Sequence, residues 1–214
     1  MIGILTASVA PALAILCFLY LRNNYTFLTF KSVLKVFIIG ALLVFPIMVI
    51  QHAFITENLL TGSFSRSFIL FGFTEEFFKW FLLYSFTFNH NQFHKPYDGI
   101  VYGVALALGF ATVENFLYLV ANGVHTAFFR ALLPVSSHAL FGVIMGYYLG
   151  LAKFEKRRNV KLILLLSVSI PIVLHGMYDF IIIAADKYIH IIIVPFMFFL
   201  WWFALHKVKL AGQG

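Results

Sequence analysis

Long unbroken apolar runs decide what this chain can become. A helix needs about 20 mostly apolar residues to cross the hydrocarbon core of a bilayer. Seven stretches reach that length, roughly Ile2–Leu21, Val33–Phe54, Ser67–Phe88, Gly99–Ala121, Phe128–Leu151, Leu162–Ala184 and Ile189–His206. Of the 214 residues, 62% are hydrophobic and only 11% charged. A soluble domain is about half apolar and about a quarter charged, so a soluble fold and a disordered chain are both excluded. A membrane β-barrel would show short alternating segments instead. The chain reads as all-α: one integral-membrane domain over residues 1–214, a polytopic transmembrane helical bundle of about seven spans in the cell membrane. The first run lacks a basic n-region and continues to Tyr20, so it reads as a retained helix and not a signal peptide.

Positive charge marks the loops. Arg22, Lys31 and Lys35 flank the first connection, Lys95 lies in the third, Lys153, Lys156, Arg157, Arg158 and Lys161 crowd the fifth, and Lys207 and Lys209 follow the last run. The alternate loops hold only Arg66, Arg130 and Lys187. This asymmetry predicts an external N-terminus and a cytoplasmic C-terminus. It also accounts for the net charge of +7 without nucleic acid as a partner. Trp80, Trp201 and Trp202 are expected at the cytoplasmic interface. Cys17, the single cysteine, excludes an internal disulfide and is expected to be a small packing residue.

Ionisable residues inside the apolar runs carry the functional information. Glu75, Glu76 and Lys79 lie in the third run, Glu114 in the fourth, His138 in the fifth, and His175 and Asp179 in the sixth. Each charge at a span centre costs roughly 2.5–3.5 kcal/mol on insertion scales, so such groups must share partners. At 1.5 Å per residue they fall within roughly 9–17 Å of the predicted outer boundary, which points to one polar cavity facing outward. Glu75 and Lys79 are four residues apart and share a helix face, as do His175 and Asp179. Glu76 points about 100° away from Glu75, so both reach one cavity only if it is broad or the helix is distorted. Four carboxylates face one lysine and two histidines. Either a carboxyl keeps its proton, or the histidines are cationic, or a metal fills the gap.

Two glycine stripes, Gly99–Gly103–Ala107 and Gly142–Gly146–Gly150, allow close helix packing, and the second shares its face with His138. His-Glu-x-x-His and Gly-x-Ser-x-Gly are both absent. Asp98 is expected at the opposite end of the bundle from Asp179, which disfavours an aspartate dyad.

Four motifs occur in order on successive runs: Glu75-Glu76-x-x-Lys79, Phe110-x-x-x-Glu114-Asn115, His138 ahead of its glycine stripe, and His175-x-x-x-Asp179. In this arrangement, over nearly the whole chain, the sequence resembles the PrsW membrane proteases, relatives of the CAAX prenyl proteases and bacteriocin-processing enzymes. That wider group commonly ends the second motif in His, where this chain has Glu114, so His138 is expected to supply the imidazole. The resemblance implies an endopeptidase making the first cut in a membrane-anchored anti-sigma factor, RsiW-like, on its extracytoplasmic side. That cut would release an extracytoplasmic-function sigma factor in response to antimicrobial peptides or envelope stress. The implied partners are the single-span substrate, the lipid bilayer and a second intramembrane protease acting downstream. The expected roles are Glu75 as water-activating base, Glu76 as its proton-sharing partner, Lys79 tuning Glu75, and His175, held by Asp179, as electrophile or acid. Glu114, Asn115 and His138 complete the site. No cofactor and no metal are expected; a metal-dependent peptidase is the alternative within the enzyme class, since two histidines with carboxylates can ligate zinc. A proton-coupled carrier or a helix-binding scaffold are the alternatives outside it.

Overall fold

The computed structural model describes residues 1–22, 28–89, 91, 93–154 and 159–213. Among these there are helices and no strands. Seven long helical stretches follow in order. They are α1 (Ile2–Leu21), α2 (Phe30–Thr56), α3 (residues 63–87), α4 (Pro96–Asn122), α5 (Val124–Phe154), α6 (Val160–Ala184) and α7 (Ile189–Ala211). Six are long and apolar enough to cross a membrane. The seventh, α3, has the length but carries Arg66, Glu75, Glu76 and Lys79. The structure is a helical membrane bundle. Lys156, Arg157 and Arg158, which weigh in the charge asymmetry, lie outside the described residues.

Local chemistry sets the helix boundaries. Thr29 and Asn159 accept the backbone N–H of Ser32 and Leu162, capping α2 and α6. Pro96 opens α4, where its missing N–H costs nothing, and Asp98 accepts the N–H groups of His94 and Lys95 at 2.9 and 3.1 Å. Asp98 therefore serves a helix start.

α4 and α5 form the buried centre and share the most extensive contact in the bundle. Their glycine stripes meet face to face. A Cβ on Gly103 would strike the Gly142 carbonyl, and one on Gly146 would strike that of Gly99. α1 and α2 flank α4, while α6 and α7 flank α5. α3 lies between α2 and α6. Outward faces are lined with apolar side chains such as Phe45, Val49, Phe81 and Phe198, as a lipid-facing surface requires. Cys17, expected to pack, is on this exposed surface. The Trp80 indole donates to Ser167 Oγ at 2.7 Å and ties α3 to α6.

Two helices depart from α geometry, each just before residues of interest. α3 runs as a π-helix over Arg66–Phe73, then as an α-helix over Thr74–Thr87. The Thr74 hydroxyl donates to the Ile69 carbonyl. Gly72 faces the backbone of Gly176, where a Cβ would sit 2.9 Å from the amide nitrogen. α5 is π-helical over Ala131–Val135, and Pro134 removes a backbone donor there. The Ser136 hydroxyl donates to the Leu132 carbonyl, and Ser137 Oγ to that of Pro134 at 2.9 Å. Single π turns inside α-helices often mark functional positions.

Candidate active site

The extra residue in the π turn of α3 changes the phase of everything after it. Glu75 and Glu76, about 100° apart on a regular helix, both reach the same ammonium. Lys79 Nζ lies 3.0 Å from Glu75 Oε2 and 2.9 Å from Glu76 Oε1. A lysine three and four residues along serves both carboxylates at once.

Lys79 sits at the centre of a larger cluster. Its Nζ is 3.3 Å from Nδ1 of His138 on α5 and 4.0 Å from the centre of the Phe110 ring on α4. An ammonium has donors only, so His138 Nδ1 accepts. His138 Nε2 then carries the proton and donates to Glu114 Oε2 at 3.0 Å. On α6, His175 Nδ1 is 2.9 Å from Glu76 Oε1, and its Nε2 is 3.3 Å from Asp179 Oδ2 and 4.0 Å from Glu75 Oε2. Phe141 stacks on His175 with centroids 5.1 Å apart, and the two imidazoles meet edge to face at 5.2 Å. On α2, Gln51 donates to Glu75 Oε1 at 3.1 Å.

Burial grades across the cluster. Glu76 and Lys79 are 1% exposed and Glu75 is 7% exposed. Glu114 and Asp179 form the open edge, with side chains 38% and 18% exposed. Of the two glutamates, Glu76 lies deeper.

Every acidic, basic and imidazole residue expected at the site is in this cluster. Asn115 joins it indirectly: its amide accepts from Arg130 Nε at 2.8 Å and lies 3.5 Å from the Ala7 carbonyl. Two participants escaped sequence reasoning. Gln51 is uncharged and reads as ordinary within an apolar run. Arg130 reads as a loop charge, yet its guanidinium covers the Tyr118 ring at 4.0 Å and places Nη2 3.6 Å from Glu114 Oε1.

The donor chemistry also suits a metal ion. Glu75, Glu76, His138 and His175 each offer one atom, and these atoms lie within 4.8 Å of one another. Glu76 Oε2 is buried and has no hydrogen-bond partner among the described residues. Carboxylate and imidazole donors are a common zinc set. Lys79 is bonded to three of these four groups, so its ammonium and a metal ion would compete for the same oxygens and nitrogen.

Comparison with known proteins agrees along the whole chain. The family model for PrsW proteases, described as a PrsW family intramembrane metalloprotease, matches residues 29–205. Protease PrsW of Halalkalibacterium halodurans is 55% identical over 213 residues, which cover 100% of this chain and 99% of the relative. Protease PrsW of Bacillus subtilis is 50% identical over 211 residues, covering 99% and 96%. Protease PrsW of Clostridioides difficile is 30% identical, covering 94% of this chain and 88% of its own length. No solved structure matches.

Proposed function

Because the chain belongs to the PrsW family, and so is a multi-pass membrane-embedded peptide hydrolase, we propose that it makes the first cut in a membrane-anchored anti-sigma factor of the RsiW type. The cut falls on the extracytoplasmic side and frees an extracytoplasmic-function sigma factor under antimicrobial-peptide or envelope stress. A second intramembrane protease then trims the product. The observation that carries the catalytic part is the meeting of Glu75, Glu76, His138 and His175, from three helices, within 4.8 Å.

Peptide hydrolysis needs an activated water, a proton for the leaving amine and stabilisation of the oxyanion. Glu75 lies nearer the open edge than Glu76 and is the base that accepts the water proton. Gln51 and Lys79 each bind one of its oxygens and hold the carboxylate in place. Glu76, enclosed between Lys79 and His175, passes protons between them. His175, oriented by Asp179, gives its proton to the leaving amine. His138 and Glu114 close the far side of the cluster and fix Lys79.

Two observations favour the metal-dependent form of this reading, namely the family description and the unpartnered Glu76 Oε2. Glu75, Glu76, His138 and His175 would hold the ion. When bound, a metal supplies Lewis-acid polarisation and lowers the pKa of bound water.

The test is reconstitution of the purified chain with a single-span substrate of the anti-sigma type. Wild type is compared with Glu75→Gln and Glu76→Gln, with and without chelator. Cleavage by wild type and loss in both variants is expected. Wild-type cleavage in both variants sinks the assignment, and no cut in the anti-sigma substrate alongside cleavage of other single-span proteins sinks the substrate.

A further inference from the structure

We propose that Arg130 is a positioning residue for peptide hydrolysis, acting through Glu114 on His138. Three contacts place it. Arg130 Nε donates to Asn115 Oδ1 at 2.8 Å, its guanidinium lies over Tyr118 at 4.0 Å, and Nη2 is 3.6 Å from Glu114 Oε1. Asn115 and Tyr118 are three residues apart on α4, so they form a cradle on one helix face beside Glu114. A planar guanidinium fits this cradle because it can stack and donate sideways at once, which an ammonium cannot.

The consequence lies one bond further in. Glu114 has two carboxylate oxygens, and Arg130 occupies the direction of Oε1. Oε2 is left facing His138 Nε2 at 3.0 Å. An imidazole that donates through Nε2 presents its Nδ1 lone pair to Lys79, 3.3 Å away. Lys79 sets the tautomer, and Arg130, by holding Glu114, fixes the acceptor that orients an imidazole it never touches. Glu114 is the most exposed carboxylate of the cluster, with a side chain 38% exposed, and without a second partner it would be the freest to rotate.

The π turn over Ala131–Val135 lies between Arg130 and His138 on α5. It lets two residues eight apart in sequence approach one carboxylate from either side. A staple that only joined α4 to α5 would need the Asn115 bond and the stack on Tyr118, but no approach to Glu114.

This inference rests on the placement of Glu114 and His138 in the active site, and the experiment separates the two ideas. Cleavage of a single-span reporter by the purified full chain in nanodiscs is measured for wild type, Arg130→Ala, Arg130→Lys, Glu114→Gln and the double variant Arg130→Ala/Glu114→Gln. Arg130→Ala is expected to lower kcat by about 10²-fold, the scale of a slightly misplaced catalytic group, with KM within about 2-fold. Added guanidinium ion restores part of the rate. In the double variant the loss is no larger than with Glu114→Gln alone. Arg130→Lys keeps the charge but cannot bridge Asn115 and Glu114, so it retains only part of the rate; it also serves if the alanine protein fails to insert. NMR spectra of His138 give a readout independent of turnover: the proton stays on Nε2, held there by Lys79, but its N–H signal shifts in the Arg130 variants as the bond to Glu114 loosens. Wild-type kcat, additive losses or an unchanged His138 spectrum overturns the proposal. Wild-type cleavage by Glu114→Gln overturns instead the assignment of Glu114 to the site.

Discussion

The ammonium of Lys79 lies 3.3 Å from Nδ1 of His138, and this one contact decides which imidazole nitrogen carries the proton. The lysine has no lone pair, so the histidine accepts on Nδ1 and donates through Nε2 to Glu114. His138 is therefore bonded on both nitrogens, one toward each half of the cluster. Replacing it with Ala is expected to slow cleavage by about 10²–10⁴-fold, the usual range for a positioned proton-transfer group. Initial rates on a single-span reporter decide this, and a loss of under threefold would place His138 outside the chemistry.

Glu75 and Glu76 should separate in stability although loss of either is expected to stop cleavage. Glu76 Oε1 is shared by Lys79 and His175 at 2.9 Å each, in a residue 1% exposed. Breaking a buried ion pair by removing one partner costs about 3–5 kcal/mol. Glu76→Gln should lie toward that range, and Glu75→Gln, nearer the open edge, below it. Unfolding in mixed detergent micelles measures the two, and equal losses would contradict the graded burial.

Lys79→Met removes the internal cation and leaves two buried carboxylates without their counter-ion. Zinc affinity measured by calorimetry on the purified chain is expected to rise at least about tenfold, because the metal no longer competes with an ammonium for Glu75, Glu76 and His138. Exhaustive chelation of wild type should stop cleavage, and zinc should restore it. Cleavage that persists through chelation removes the metal from the proposed mechanism.

Leucine at Gly103 or Gly142 would drive a side chain into the facing backbone. Overpacking a tight interface costs about 1–3 kcal/mol or more. Because Gly142 stands one turn after His138, the Gly142→Leu protein should also lose cleavage. Gly3→Leu is the control, since nothing lies within 4 Å of a Cβ there. Comparable thermal unfolding of all three variants would show that the α4–α5 seam does not depend on its glycines.

Much of this arrangement was legible in the residues. Apolar run length placed all seven helices to within a few residues, because the bilayer thickness imposes it. Charges inside those runs named the cluster, since each is too costly to keep without partners. The glycine stripes announced their seam. Other features were hidden for physical reasons. The π turns leave no periodic signal, so the rotation they impose on the glutamates was not legible, whereas the meeting of Glu75 and Glu76 needed only a lysine three and four residues along a regular helix. Gln51 carries no charge and costs little to insert. Arg130 was disguised by its position near a helix start, where a basic residue reads as topology. The bond from the Trp80 indole to Ser167 joins residues far apart in sequence and has no local signature.

The π-helical stretch from Arg66 to Phe73 makes the acidic pair sensitive to arithmetic in the backbone. A turn of this kind holds one residue more than its α counterpart. Deleting a single residue there would allow the helix to relax into ordinary winding without shortening its climb through the bilayer by more than about 1.5 Å. The two glutamates would survive in sequence and in depth, yet swing away from the histidines. The alignment of the acidic pair is thus stored partly as a miscount, and an insertion or deletion that touches no charged side chain is expected to erase it.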